Sequence, residues 1–242
     1  MPEIEKFNKI VIANWKLNGS SAFIREYFKN IKFSRSNFED NCVIVCPPIP
    51  FIKHIESKQL FKGSQDCSEF SEGAFTGEIS ARMIKEIGCK FCIIGHSERR
   101  TLFKESNETI LKKIRNCINN NLIPILCVGE SLEEKDQNLT KEVLNEQIKK
   151  NLPKNINLKK LIIAYEPLWS IGTGKIPSLD DISEIHSYIK ESIFSKNNIK
   201  IVYGGSVKSS NYKEIINLDE VDGLLVGGAS LNIDEFNKII EF

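Results

Sequence analysis

Eight short runs rich in branched aliphatic residues recur along the chain: KIVIAN (9–14), NCVIVCPP (41–48), LFKGSQD (60–66), KFCIIGH (90–96), LIPILCVGE (122–130), KKLIIAYE (159–166), IKIVYGGS (199–206) and DGLLVGGAS (222–230). Within them the apolar residues are continuous rather than alternating, which predicts strands covered on both faces, as in a parallel sheet. Between them, residues 21–31, 80–87, 107–119, 140–151, 179–194 and 210–217 carry apolar residues at helical spacing, with capping-type residues at several starts. The third connection is longer and contains the polar stretch SQDCSEFSEGAFTGE. No Gly/Ser linker or shift in composition divides the 242 residues. The pattern therefore predicts an α/β protein in which residues 1–242 form a single (β/α)8 barrel domain, in preference to two small domains.

Charge narrows the classes of partner. Thirty-three basic against thirty-two acidic residues leave a formal net charge of +1, so there is no electrostatic case for nucleic acid or a membrane surface as the main partner. The first residues, MPEIEKFNKIVIANWK, form neither a long apolar stretch nor an Arg-rich leader, and no later run is long enough to cross a bilayer. A soluble, cytoplasmic protein is expected. Seven cysteines stand at 42, 46, 67, 89, 92, 117 and 127. Cys89 and Cys92 have the spacing of a zinc or redox pair. Cys92 lies in the apolar run FCIIG, however, Cys42 and Cys46 bracket a strand-like run, and no second CxxC or His-x-His accompanies them. The expectation is structural thiols and no metal site.

In a barrel of this kind, chemistry is assembled at the C-terminal ends of the strands. Those ends bring Asn14 and Lys16, His96, Glu130, Glu166, Ser206, and the pair Gly227 and Gly228 to one rim. A charge at one strand end often means only solvation. Several polar and glycine residues sharing one rim make a candidate site.

The segments NWKLNG (14–19), GAFTGEIS (73–80), GHSERR (95–100), AYEPLWSIGTGK (164–175), YGGSV (203–207) and GLLVGGASL (223–231) together resemble the triosephosphate isomerase family, in order and from about residue 9 to the end. The resemblance implies a TIM barrel and an intramolecular aldose–ketose isomerase. Its expected reaction interconverts dihydroxyacetone phosphate and D-glyceraldehyde 3-phosphate through an enediolate, in glycolysis and gluconeogenesis. No cofactor is expected; the expected partners are the small phosphorylated triose and a second copy in a homodimer.

By the same resemblance Glu166 is the base that moves a carbon-bound proton, and His96 is the electrophile, kept neutral by the helix N-terminus. Lys16 supplies fixed positive charge, and Asn14 is a neutral donor beside it. Gly172, Ser206, Gly227 and Gly228 grip the phosphate through turn N–H groups. Tyr203 and Ser206 latch the IGTGK lid, and Thr76 reaches the partner's Asn14 and Lys16. Glu98, within SERR, reads as a supporting partner for Lys16 or a member of a proton relay, or else only as a charge at a helix N-terminus. Two residues depart from the family pattern. Ser170 replaces the usual Ala, with little effect expected because the contacts there are backbone ones. Pro177 stands in the far hinge, where its ring fixes φ and restricts Ile176.

Two other readings fit a barrel. A Schiff-base aldolase wants a lysine within a middle strand, and the sixth carries Glu166 instead. A binding scaffold without activity has no need to keep Glu166, His96 and Lys16 together.

Overall fold

The computed structural model describes residues 2–32, 40–57, 59–173, 175–195 and 198–241. Gly174, part of the lid stretch, lies outside the described residues. Eight strands close into one parallel barrel in sequence order: β1 (Lys9–Asn14), β2 (Asn41–Cys46), β3 (Phe61–Ser64), β4 (Phe91–Ile94), β5 (Ile123–Val128), β6 (Ile162–Tyr165), β7 (Lys200–Tyr203) and β8 (Gly223–Val226). Closure comes from β1 against β8, with Ile10 opposite Gly223 and Ala13 opposite Val226. A Cβ on Gly223 would stand 1.8 Å from the Ile10 carbonyl oxygen. Glycine is what lets these two strands meet.

The continuous apolar runs have a simple cause. Successive side chains on a strand point to opposite faces, and here both faces are buried. Ile10, Ile12, Ile44, Phe91, Ile93, Ile125 and Ile162 fill the barrel interior. Their neighbours Val11, Ala13, Val43, Val45, Cys92, Ile94, Leu126 and Ile163 face the surrounding helices.

The helices are α1 (Ser21–Asn30), α2 (Ala81–Glu86), α3 (Ser97–Leu102), α4 (Asn107–Asn119), α5 (Leu132–Asp136), α6 (Thr140–Asn151), α7 (Leu179–Tyr188), α8 (Tyr212–Ile216) and α9 (Ile233–Ile239). Serine side chains cap several of them: Ser20 accepts from Phe23 N, Ser80 from Met83 N and Ser106 from Thr109 N. Ser131 with Glu134 and Ser178 with Asp181 form reciprocal capping boxes. The segment 179–194 is not one uniform helix. After Tyr188 it widens into a single π turn, Ile189–Ile193, with Phe194 N reaching Ile189 O at 3.2 Å. Helices α3, α5 and α9 are additions to the elements read from the sequence. They are short, and α3 and α5 are rich in charge, so neither shows an apolar stripe long enough to register.

Candidate active site

The C-terminal rim encloses a cavity of about 220 Å³ lined by Asn14, Lys16, His96, Glu166, Gly172, Ser206, Gly227 and Gly228. Eight of the residues singled out from the sequence therefore share one space. Glu130 lies outside it, as do the three supporting candidates. Glu98 touches Lys16 from behind, Tyr203 is buried beneath the lid, and Thr76 is exposed on the long third connection.

Lys16 follows β1 with φ +51°, a left-handed backbone that costs a lysine on the order of 1–3 kcal/mol. Two side chains hold it there. Lys16 N donates to Asn14 Oδ1 at 3.1 Å, and Gln65 Nε2 donates both to Lys16 O at 2.9 Å and to Cys46 O at 2.8 Å. Gln65, at the root of the third connection, carries no local sequence signal. Lys16 Nζ donates to Glu98 Oε1 at 2.7 Å.

GHSERR folds into a compact bracket. Gly95 takes φ +68°, turning the chain from β4 so that His96 becomes the N-cap of α3. His96 Nδ1 accepts from Glu98 N at 3.3 Å, which leaves the ring proton on Nε2, 3.3 Å from Glu166 Oε1. Arg100 donates to Gly95 O at 2.8 Å and to Cys127 O at 3.1 Å, tying α3 to β4 and β5. Arg99 pairs with Asp66 and Glu105, and Lys113 bridges the same two carboxylates at 2.7 and 2.5 Å. Burial pushes the Asp66 carboxyl up to about 7, against the pull of Lys113. The motif's two arginines thus hold the platform on which His96 stands.

Glu166 leaves β6 through a slot with no room to spare. A Cβ on Gly129 would lie 1.9 Å from Glu166 O, and one on Gly204 would lie 2.7 Å from Glu166 Cγ. Glu166 is 2% exposed, and its Oε2 has no hydrogen-bond partner. A buried carboxylate oxygen left unpaired is costly, and here it belongs to a residue that lines the cavity. Beside it burial pushes the Cys127 thiol well up, keeping it a thiol.

The lid's near root stands on a second carboxylate. Glu130 Oε1 accepts from Trp169 Nε1 at 2.8 Å and Tyr165 OH at 3.2 Å, and burial pushes its carboxyl upward. Ser170 is fully buried and its hydroxyl is a junction. It donates to Lys175 O at 2.8 Å, accepts from Ser206 N at 3.3 Å and lies 3.4 Å from Tyr203 OH. Ser206 Oγ in turn donates to Ser170 O at 2.5 Å. The expectation that position 170 makes only backbone contacts is corrected: its side chain joins both ends of the lid to the YGGS turn. Burial pushes Tyr203 up to about 12, so it stays a neutral phenol. Pro177 is buried one residue before the N-cap of α7.

Gly227 and Gly228 close the far wall, where a Cβ on Gly227 would stand 3.6 Å from Lys16 Cε and one on Gly228 would meet nothing. Lys208, not singled out from the sequence, adds a cation to this wall. Among the described residues no helix is long and apolar enough to cross a membrane.

With this geometry in place, the comparisons decide the family. The family model described as triosephosphate isomerase matches residues 9–242. The chain belongs to the triosephosphate isomerase family. A triosephosphate isomerase from Francisella tularensis subsp. novicida is 43% identical, with 96% of each chain covered. One from Hahella chejuensis is 40% identical, covering 96% of this chain and 97% of that one. The crystal structure of triosephosphate isomerase from Bartonella henselae superposes with a TM-score of 0.85 at 33% identity, covering 96% of this chain and 98% of that one. The chain is thus an isomerase, and its closed barrel is the TIM barrel expected from the alternation of runs. Cys92 meets Cys67 and Cys117, and among the described residues Cys89 joins no cluster of three such ligand atoms.

Proposed function

We propose that this triosephosphate isomerase family member interconverts dihydroxyacetone phosphate and D-glyceraldehyde 3-phosphate with Glu166 as the base, His96 as the electrophile and Lys16 as the fixed positive charge. The observation that carries the assignment is the buried, half-unpaired Glu166 carboxylate 3.3 Å from His96 Nε2 in a cavity that also holds Lys16. Glu166 takes a proton from one substrate carbon and returns it to the next. The charge that develops on oxygen is met by the Nε2 proton of His96, by Lys16 and by Asn14, donors already in place before reaction. Glu98 steadies Lys16 until the substrate arrives. Gly172, Ser206, Gly227 and Gly228 hold the phosphate, and the lid excludes water so that the enediolate keeps its phosphate. The small cavity suits a compact metabolite, and the reaction uses no cofactor or metal.

The working form is a cytoplasmic homodimer of single-domain barrels. Its support is the placement of exposed apolar side chains. Phe70 and Phe75 stack at 3.6 Å on the third connection beside Thr76, while Leu17, Leu102 and Phe103 rim a cavity of about 480 Å³ next to Lys16. Each copy's loop tip fits the other's cavity in an isologous interface, bringing Thr76 of one copy toward Asn14 and Lys16 of the other.

A coupled assay with glyceraldehyde 3-phosphate, run beside sedimentation of the same sample, tests both statements. Expected are rapid isomerisation, a dimer, and a Glu166→Asp variant whose kcat falls far more than its KM rises, since its carboxylate is drawn back by about one methylene. Near-native kcat in that variant overturns the assignment of the base, and full activity in a monomer overturns the dimer.

A further inference from the structure

Three thiols distant in sequence meet behind the barrel wall. Cys67 lies just beyond β3, Cys92 is in β4 and Cys117 is in α4; all three are buried, and their sulfurs lie within 4.8 Å of one another, with Cys67 and Cys117 at 3.6 Å. Among the described residues no other set of three His, Cys, Asp or Glu side chains brings its ligand atoms this close. The remaining cysteines, Cys42, Cys46, Cys89 and Cys127, are equally buried without forming such a triangle. Burial alone therefore does not account for the convergence.

We propose that Cys67, Cys92 and Cys117 form a trigonal three-thiolate site for a soft monovalent metal ion, copper(I). A metal held in the plane of three sulfurs at about 2.3 Å needs them about 4.0 Å apart; the Cys67–Cys117 edge is 3.6 Å and no edge exceeds 4.8 Å, which admits that spacing. Ligand chemistry selects the ion. Thiolates favour Cu(I), zinc and iron–sulfur clusters. A structural zinc site wants four ligands, and among the described residues no histidine or carboxylate joins these three. A single Cu(I) matches both the ligand type and the number. Binding forms three copper–sulfur bonds and releases the thiol protons to solvent, with no electrons transferred.

Entry is through the loop that carries Cys67. It is fastened by Ser68 N to Ile79 O at 2.9 Å and by Asn116 Nδ2 to Ser68 O and Glu69 O at 3.2 and 2.9 Å. Asp66 adds ion pairs to Arg99 and Lys113 and Glu69 one to Lys112, so the ion enters when this loop and its ion pairs open locally, without opening the barrel.

Anaerobic titration of the full chain with Cu(I), in competition with the coloured chelator bathocuproine disulfonate, tests the site. One Cu(I) per chain should be withheld from the chelator, and copper X-ray absorption on the native protein should give three sulfurs at about 2.3 Å. Cys67→Ser, Cys92→Ser and Cys117→Ser should each weaken binding by at least about 100-fold, the upper end of what even an outer-shell partner is worth. Cys89→Ser and Cys42→Ser should bind as the native chain does. Isomerase activity reports whether each variant has folded; should Cys92→Ser fail to fold, the absorption shell of the native protein decides. Complete recovery of copper by the chelator, a two-sulfur shell, or unchanged binding in Cys67→Ser and Cys117→Ser overturns the proposal.

Discussion

The two sides of the proposed catalytic cavity are built by different means. On the chemical side, Lys16, His96 and Glu166 are fixed by backbone: a left-handed residue held by Gln65 and Asn14, a helix cap, and a strand exit squeezed between Gly129 and Gly204. On the lid side, position is held by exchangeable hydroxyl and indole bonds from Ser170, Ser206, Thr173 and Trp169, and at Gly172 a side chain would meet no atom within 4 Å. The first arrangement prevents reorganisation; the second allows it. Proton transfer demands fixed geometry, whereas substrate entry demands a wall that can open.

Breaking the fixed side should cost most. Gly204→Ala places a methyl against Glu166 Cγ, and a displacement of about 1 Å in a reacting group costs about 100-fold. We expect kcat to fall by about that factor with KM nearly unchanged; an equal loss in both would mean that binding, not positioning, depends on Gly204.

The lid side leans on α7 through His186, which is fully buried, lies edge-on to Tyr165 and is pushed down to about 3 by burial. The folded state keeps this ring neutral while the unfolded chain protonates near 6.5. Its contribution to stability is thus complete above about pH 6.5 and is lost as pH falls toward 3. Between pH 7 and pH 5 the loss is about 2 kcal/mol, about 30-fold in the unfolding equilibrium. Denaturant melts at the two pH values should show it, and His186→Gln should flatten the dependence. An unchanged slope in that variant would move the acid sensitivity elsewhere.

Ser170→Ala tests the exchangeable side directly. Removing the hydroxyl deprives Lys175 O and Ser206 N of partners, at about 1 kcal/mol, so kcat/KM should drop about fivefold, with faster amide exchange at Ser206. Native kinetics with native exchange would restore the expectation that backbone contacts suffice at this position. Pro177→Ala should have the smallest effect. The ring preorganises the far hinge, so its loss lowers kcat/KM roughly two- to fivefold through added open conformers, with more methylglyoxal released per turnover. Unchanged kinetics and methylglyoxal yield would make Pro177 a passive lead into α7.

The fold was legible because burial on both strand faces writes itself into the chain as unbroken apolar runs such as LIPILCV. Lys16, His96 and Glu166 were legible through their motifs and strand ends. What escaped reading depends on partners far away in the chain. Gln65 acts on residues 16 and 46; Arg99 and Lys113 share carboxylates at 66 and 105; Cys67, Cys92 and Cys117 come from three separate elements. The Ser170 hydroxyl escaped for the same reason, since Ser206 and Tyr203 become its neighbours only when the barrel closes.

One atom of His96 does double duty. The Nδ1 lone pair that sets the tautomer also caps α3, a position where asparagine, aspartate or serine serves better. Selection on heat resistance and selection on turnover therefore pull this residue in opposite directions. A randomised library at position 96 sorted only for surviving heat should drift toward the short polar caps, whereas one sorted for growth on the enzyme's product should keep histidine and tolerate the less stable helix.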